Sequence, residues 1–425
     1  MQLAHLLAHL KIRAMHKNDS ASADKNTQPR KDLTGLRGQN IVCFAKDWSE
    51  DPTSCNHVLQ QLAKHNKVLW INSISMRAPN LASGRDIKKI FRRVWDFLVG
   101  FIKGAQPVGD QMWLFNPFVL PFHHSPWAIS LNQLILRFTI GVQRRRLGMK
   151  NFQLWTFVPT SSQYIGRLGE SLVVYYCVDE WSGFSFVDGV KIEAMVQNLT
   201  KKADVVFATS NKLVNKLKHF NSNTHLASHG VSYDLFSKAL SDESIVPEDV
   251  ANIKKPILGF FGLIEEWMDQ NLIAHLARKH PEWTILLIGK VCVDIQTLTP
   301  YKNIKFLGRK PHSALPNYCK VFDVALIPHK VNELTLAMNP IKLREYMSAG
   351  LRIVSTDLPE MRLYPEHCIT ASTYDDFEQG VMTALADQSK AGKEARNAQM
   401  AKETWEYKVL ALGEIVKQAQ QKRGQ

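Results

Sequence analysis

Short apolar runs alternate along this chain with longer segments of helical periodicity. Asn40-Ile41-Val42-Cys43-Phe44-Ala45 reads as a buried strand, and a helix carrying His57, Val58, Leu59 and Leu62 starts near Ser54. Lys67-Val68-Leu69-Trp70-Ile71 reads as the next strand. Further strand-like runs fall at 152–157, 172–178 and 204–208, with helical stretches from about 161, over 191–202 and after Thr209-Ser210. Strand, helix, strand is the pattern of a doubly wound parallel sheet. The series restarts with strands at 256–261, 283–289, 303–308, 322–328 and 351–355, and with helices at 272–279 and 339–350. A last helix spans about 401–417. The expected organisation is a flexible segment 1–36, a first domain 37–237, a polar acidic linker 238–255, a second domain 256–395 and a C-terminal helix 396–425.

The stretch 339–350 reads as chemistry as well as fold. Asn339 suits a helix N-cap, Pro340 the first helical position, and Gly350 the left-handed residue that ends the helix. A helix start attracts phosphate through unpaired N–H groups and a partial positive charge. Lys342 adds a full charge in the first turn. Glu345, three residues on and on roughly the same face, suits paired hydroxyls such as those of a ribose. An ordinary capped surface helix with a Lys–Glu pair is the alternative. Gly262, after the strand 256–261, lets backbone approach a ligand. No G-x-G-x-x-G fingerprint accompanies it, so a dinucleotide site is disfavoured.

Ligands of doubly wound sheets gather at the carboxyl ends of strands. Asp47, Trp48 and His57 follow the first strand. Asp179 and Glu180 follow the apolar run 172–178. Their spacing is not that of a metal-binding Asp-x-Asp, and no metal site is expected.

Size and charge narrow the classes. A chain of 425 residues with 45% hydrophobic and 22% charged residues suits two globular domains. Its six cysteines show no paired spacing. That favours a reducing compartment and argues against a zinc site. No apolar run is long enough to span a bilayer. The net charge of +14 calls for an anionic partner, and no nucleic-acid-binding signature is present. Within 85–103, Ile87, Ile90, Phe91, Val94, Trp95 and Leu98 keep helical spacing while Arg85, Lys88, Lys89, Arg92 and Arg93 crowd the other face. Arg92, Arg93 and Trp95 thus point to an anionic membrane surface, joined by Arg144-Arg145-Arg146 after an apolar helix at 127–142. An ordinary core helix at 85–103 is the alternative.

Asn339-Pro340-Ile341-Lys342-Leu343-Arg344-Glu345-Tyr346, running into Ala349-Gly350 and a Val-bearing strand, resembles the donor-binding helix of GT-B glycosyltransferases. Closest are the family-4-like enzymes of exopolysaccharide, capsule and teichuronic-acid assembly. Cys177-Val178-Asp179-Glu180, the Gly262…Glu265-Glu266-Trp267 loop and Ser228-His229-Gly230-Val231 extend the resemblance. It implies an α/β GT-B fold of two Rossmann-like domains facing a cleft, with the C-terminal helix crossing back. It also implies transfer of a hexosyl group from a UDP- or GDP-linked sugar to a lipid-linked or oligosaccharide acceptor, without a cofactor or metal and with retention. Gly262, Glu266, Trp267, Asn339, Pro340, Lys342 and Glu345 would lie on the donor side. Asp179 and Glu180 would be catalytic, and Asp47, Trp48, His57 and His229 would face the acceptor. The location implied is the cytoplasmic face of the plasma membrane. The chain departs from the family at Ala337, where a first glutamate is common, and at His229 and Ser232. It also lacks the Arg and Lys that many relatives carry in the Gly262 loop. An epimerase of the same fold and a non-catalytic membrane- or polyanion-binding protein are the alternatives.

Overall fold

The computed structural model describes residues 33–72, 104–120, 125–242, 245–387 and 389–424. The segment 85–103, with Arg92, Arg93 and Trp95, lies outside the described residues.

Fourteen strands are seen among the described residues. They are β1 (Asn40–Phe44), β2 (Lys67–Ile71), β3 (Gln106–Gly109), β4 (Met112–Phe115), β5 (Gln153–Thr156), β6 (Leu172–Cys177), β7 (Val205–Ala208) and β8 (Thr224–Leu226) in one sheet. The other holds β9 (Ile257–Phe261), β10 (Thr284–Ile288), β11 (Ile304–Gly308), β12 (Val324–Ile327), β13 (Ile353–Thr356) and β14 (Cys368–Ala371). The first sheet runs β3-β4-β2-β1-β5-β6-β7-β8 and the second β11-β10-β9-β12-β13-β14. Every pairing is parallel except the β3–β4 edge hairpin.

The interior strands are apolar along their whole length because both faces are covered. In β6, Val173, Tyr175 and Cys177 enter one core while Leu172, Val174 and Tyr176 enter the other. The predicted helix near 161 is only a 3₁₀ turn, Pro159–Gln163. The strands β3, β4, β8 and β14 carry weaker patterns and were not predicted; β3, β8 and β14 are also sheet edges.

The chain's end divides its loyalties. The helix Lys390–Met400 stays with the second sheet: Arg396 Nε donates to the Gly350 carbonyl at 3.0 Å, and Asn397 Nδ2 to that of Ser348 at 2.5 Å. The chain then crosses back. Val231 N donates to the Glu403 carbonyl at 2.9 Å. The final helix, Trp405–Arg423, buries Trp405, Val409, Leu412 and Val416 in the core that holds Ile41, Val58 and Trp70. Each such side chain contributes about 1.5–3 kcal/mol of burial. The crossover helix is therefore structurally part of the first domain.

Candidate active site

In the second sheet β9 and β12 are neighbours although two strands separate them in sequence, which is the switch point where open parallel sheets bind ligands. The loops leaving β9, β10 and β12 meet there. Gly262 and Gly289 have φ of 139° and 150°, in the range that favours glycine. A Cβ on Gly289 would stand 1.8 Å from the Gly262 carbonyl oxygen, and one on Gly262 would stand 2.2 Å from Lys342 Cε. The two glycines form a bare floor, and the Lys342 stem lies on it. Phe260 supports the ammonium, with Nζ 5.7 Å from its ring centre.

Lys342 sits in the helix Ile341–Ser348. Among the described residues no carboxylate lies within ion-pair distance of its Nζ, so the Lys342–Glu345 pair of the alternative reading is not formed. Burial pushes its pKa down, with Glu345 opposing. Glu345 is buried, and its Oε1 meets His312 Nε2 at 2.9 Å. Burial lowers the His312 pKa, but the Glu345 carboxylate and Asp51 prevail and leave it raised. Asn339 does not cap this helix. Pro340 is the N-cap and Ile341 the first helical residue. The Asn339 amide is drawn elsewhere: Nδ2 donates to the Thr209 carbonyl at 2.7 Å, and Oδ1 accepts from Arg344 Nη1 at 2.6 Å. Asn339 thus clamps this helix to the first domain, with Arg344 fully buried behind it.

The facing wall comes from the first domain. Thr209 Oγ1 donates to the Val178 carbonyl at 2.8 Å, so one ladder links the exit of β6 to Asn339. Asp179 follows directly. Burial, then the nearby Glu180, raise its pKa to about 7. No hydrogen bond to its carboxylate is seen among the described residues. Glu180 is engaged: its Oε1 accepts from Ser182 Oγ and Lys216 Nζ, each at 2.7 Å. Glu266 accepts from Ser185 N at 3.2 Å, and Trp267 meets the Phe184 ring edge-on at 6.2 Å, so both reach across to the first domain.

His57 stacks on Trp405 at 5.0 Å and lies 5.9 Å from His312, bringing it to the cleft beside Glu345. Its pKa falls to about 4, through burial first and then His312. His229 also lies against Trp405, with ring centres 5.8 Å apart. Burial and then Arg344 lower its pKa to about 3, and its buried Nδ1 has no partner. Asp47 and Trp48 are engaged locally: Asp47 Oδ1 accepts from Ser49 N at 2.9 Å, and Trp48 meets Trp70 edge-on at 5.0 Å.

Sequence reasoning passed over His312, His329 and Arg344 as site residues. His329, just past β12, is buried with both ring nitrogens unpartnered. Burial and then the Lys342 charge lower its pKa to about 3. Its signal was a histidine at the exit of a central strand. His312 gave none, because its partner Glu345 is distant in sequence, and Arg344 gave none, because a charged residue on a short helix reads as solvated until the fold buries it.

Among the described residues the one grouping spaced like metal ligands is His275, Asp375 and Glu378. The Lys279 ammonium already lies 3.1 Å from Asp375 and 2.8 Å from Glu378.

Two Rossmann-like domains, with a glycine floor at the second sheet's switch point and a facing acidic wall, make up the GT-B fold found in glycosyltransferases. No model of a known protein family matches the chain. It is 28% identical over 343 residues to the "Putative teichuronic acid biosynthesis glycosyltransferase TuaH" of Bacillus subtilis (strain 168), a match covering 75% of this chain and 81% of that protein. In fold it is similar to sucrose-phosphate synthase from Thermosynechococcus elongatus, with TM-score 0.64, 15% identity and coverage of 89% of this chain and 98% of that one. Anabaena HepE in complex with UDP and glucose gives TM-score 0.59, 12% identity and coverage of 89% and 98%. An α,α-trehalose-phosphate synthase (UDP-forming) from Burkholderia vietnamiensis gives 0.61, 9%, 90% and 100%.

Proposed function

We propose that this glycosyltransferase moves a hexosyl group from a UDP- or GDP-linked sugar to a lipid-linked or polysaccharide acceptor in cell-surface glycan assembly. The supporting observation is Lys342: a cation with no carboxylate partner among the described residues, on a floor of two glycines and one helical turn before the buried carboxylate of Glu345. The diphosphate lies over Gly262 and Gly289, and Lys342 with the helix N–H groups stabilises it as it leaves. Glu345 accepts the ribose hydroxyls on the oxygen that His312 leaves open. His329, neutral and within the field of Lys342, offers one donor and one acceptor to the phosphate-bound sugar. The UDP complex of the HepE relative and the teichuronic-acid description of TuaH favour this donor and setting.

Transfer is metal-independent and retaining in this reading. The departing diphosphate takes the proton of the acceptor hydroxyl, which Asp179 positions. Asp179 itself becomes the base if the product is inverted. Glu180, tied to Lys216, shapes the loop beside it. His57, His229, Asp47 and Trp48 line the acceptor side, and an anionic membrane surface presents the acceptor. No described helix is long and apolar enough to cross a membrane.

A thermal-shift screen of sugar nucleotides tests the donor. UDP or GDP forms should raise the melting temperature, and product NMR then reads the anomer. Turnover of a sugar nucleotide without any acceptor would instead mark an epimerase. No response to any nucleotide would refute the reading.

A further inference from the structure

The helix Pro126–Arg146 is rotated against its own hydrophobicity. Its buried side carries Asn132, Thr139 and Gln143 beside Ala128, Leu136 and Ile140. Asn132 closes a ring with Leu120: its Oδ1 accepts from Leu120 N at 2.7 Å and its Nδ2 donates to Leu120 O at 3.0 Å. Gln143 Oε1 accepts from Ala105 N at 3.0 Å. These bonds fix which side faces in. The outer side therefore shows Trp127, Leu131, Leu134 and Phe138, which are 60%, 42%, 65% and 64% exposed.

At 100° per residue these four share a sector of about 120° with Arg137, Gly141 and Arg145. Single exposed apolar residues need no explanation, but a stripe of four large ones along about three turns does. Its electrostatic setting is one-sided. No acidic residue occurs between Asp110 and Glu170, whereas six basic ones do. Arg137, Arg145 and Arg146 are exposed.

We propose that this helix face seats the enzyme in the interface of an anionic lipid bilayer. Trp127, Leu131, Leu134 and Phe138 enter the headgroup–acyl boundary, and Arg137 and Arg145 meet lipid phosphates. A polyanion without an apolar phase would leave the stripe in water. A second copy would bring the same arginines face to face with no acid to offset them. The proposal deepens the membrane partner of the functional reading and rests on it only for the acceptor. Vesicle binding needs neither donor nor acceptor, so the two can fail separately.

The test is co-sedimentation of the full chain with phosphatidylcholine vesicles with and without phosphatidylglycerol. Wild-type protein should bind the anionic vesicles and lose binding with added salt. The double variant L131E/L134E should lose about tenfold or more, and R137E/R145E should lose the preference for anionic lipid. Both pairs are exposed, so melting temperature and UDP binding should stay at wild-type values. Equal sedimentation of L131E/L134E and wild type would overturn the proposal. So would a lipid-free wild-type dimer that this variant converts to monomer.

Discussion

Lys342 and Asp179 stand on opposite walls of the cleft, and each keeps a charge or a proton that its surroundings do not neutralise. Lys342→Met should weaken UDP-sugar binding by about 10–100-fold, as expected for losing one charge-assisted contact; isothermal titration reads it. Gly262→Ala should have a comparable effect by a different route. The new methyl displaces the Lys342 stem, and the φ of 139° is costly for alanine. Asp179 makes a pH prediction of definite sign. Burial favours its protonated form and raises its pKa to about 7. Below that value Asp179 is neutral and a poor partner for an acceptor hydroxyl, so kcat/KM should rise with pH through about 7 in wild type. Asp179→Asn should flatten the profile and lower the rate. Stability runs the other way. The unfolded carboxyl loses its proton near 3.8, so the fold loses stability as pH rises from there through the folded value. Asp179→Asn should therefore raise the melting temperature at pH 8 and leave it nearly unchanged at pH 4.

At the scale of elements, the helix Ile341–Ser348 shows what local pattern reveals and what it conceals. While its start falls one residue later than an Asn339 cap would put it, its buried face with Leu343, Tyr346 and Met347 and the left-handed Gly350 (φ 72°) follow from residue type. The role of Asn339 does not, since a cap and a cross-domain clamp require the same side chain. Only the positions of Thr209 and Arg344 decide between them. Asn339→Ala should destabilise the protein by about 3 kcal/mol, because it leaves the buried Arg344 guanidinium short of an acceptor. Chemical denaturation measures this, and a loss below the error of the fit would show the clamp to be idle. The helix Pro126–Arg146 is the opposite case. Its apolar periodicity is plain in the sequence, but the side it selects is the outer one, because buried amides and backbone groups fix the rotation. The edge strands β3, β8 and β14 escaped notice for another reason: short edge strands need little apolar alternation.

Across the whole molecule, the two α/β domains were legible because most interior strands repeat one signature, an apolar run ending in a small or charged residue, whereas the order of the strands and the strands β3, β4, β8 and β14 were not. Contacts between domains were not, since they join residues far apart in sequence. Ser210 Oγ donates to the Ala337 carbonyl at 2.7 Å, Lys212 pairs with Glu333, and Arg309 Nε donates to Asp51 at 2.9 Å. Together with the Glu403–Val231 crossing they hold the Asp179 wall opposite the Lys342 floor. The Glu345–His312 pair, next to His57, completes the cleft beside the helix Ile341–Ser348. The most direct measurement is titration of UDP and GDP into wild-type protein and into Glu345→Ala, with melting curves to show that both are folded. A ribose held by Glu345 predicts that one nucleotide binds wild type and that the variant loses at least about tenfold. Equal affinity of the two proteins for that nucleotide would contradict the account.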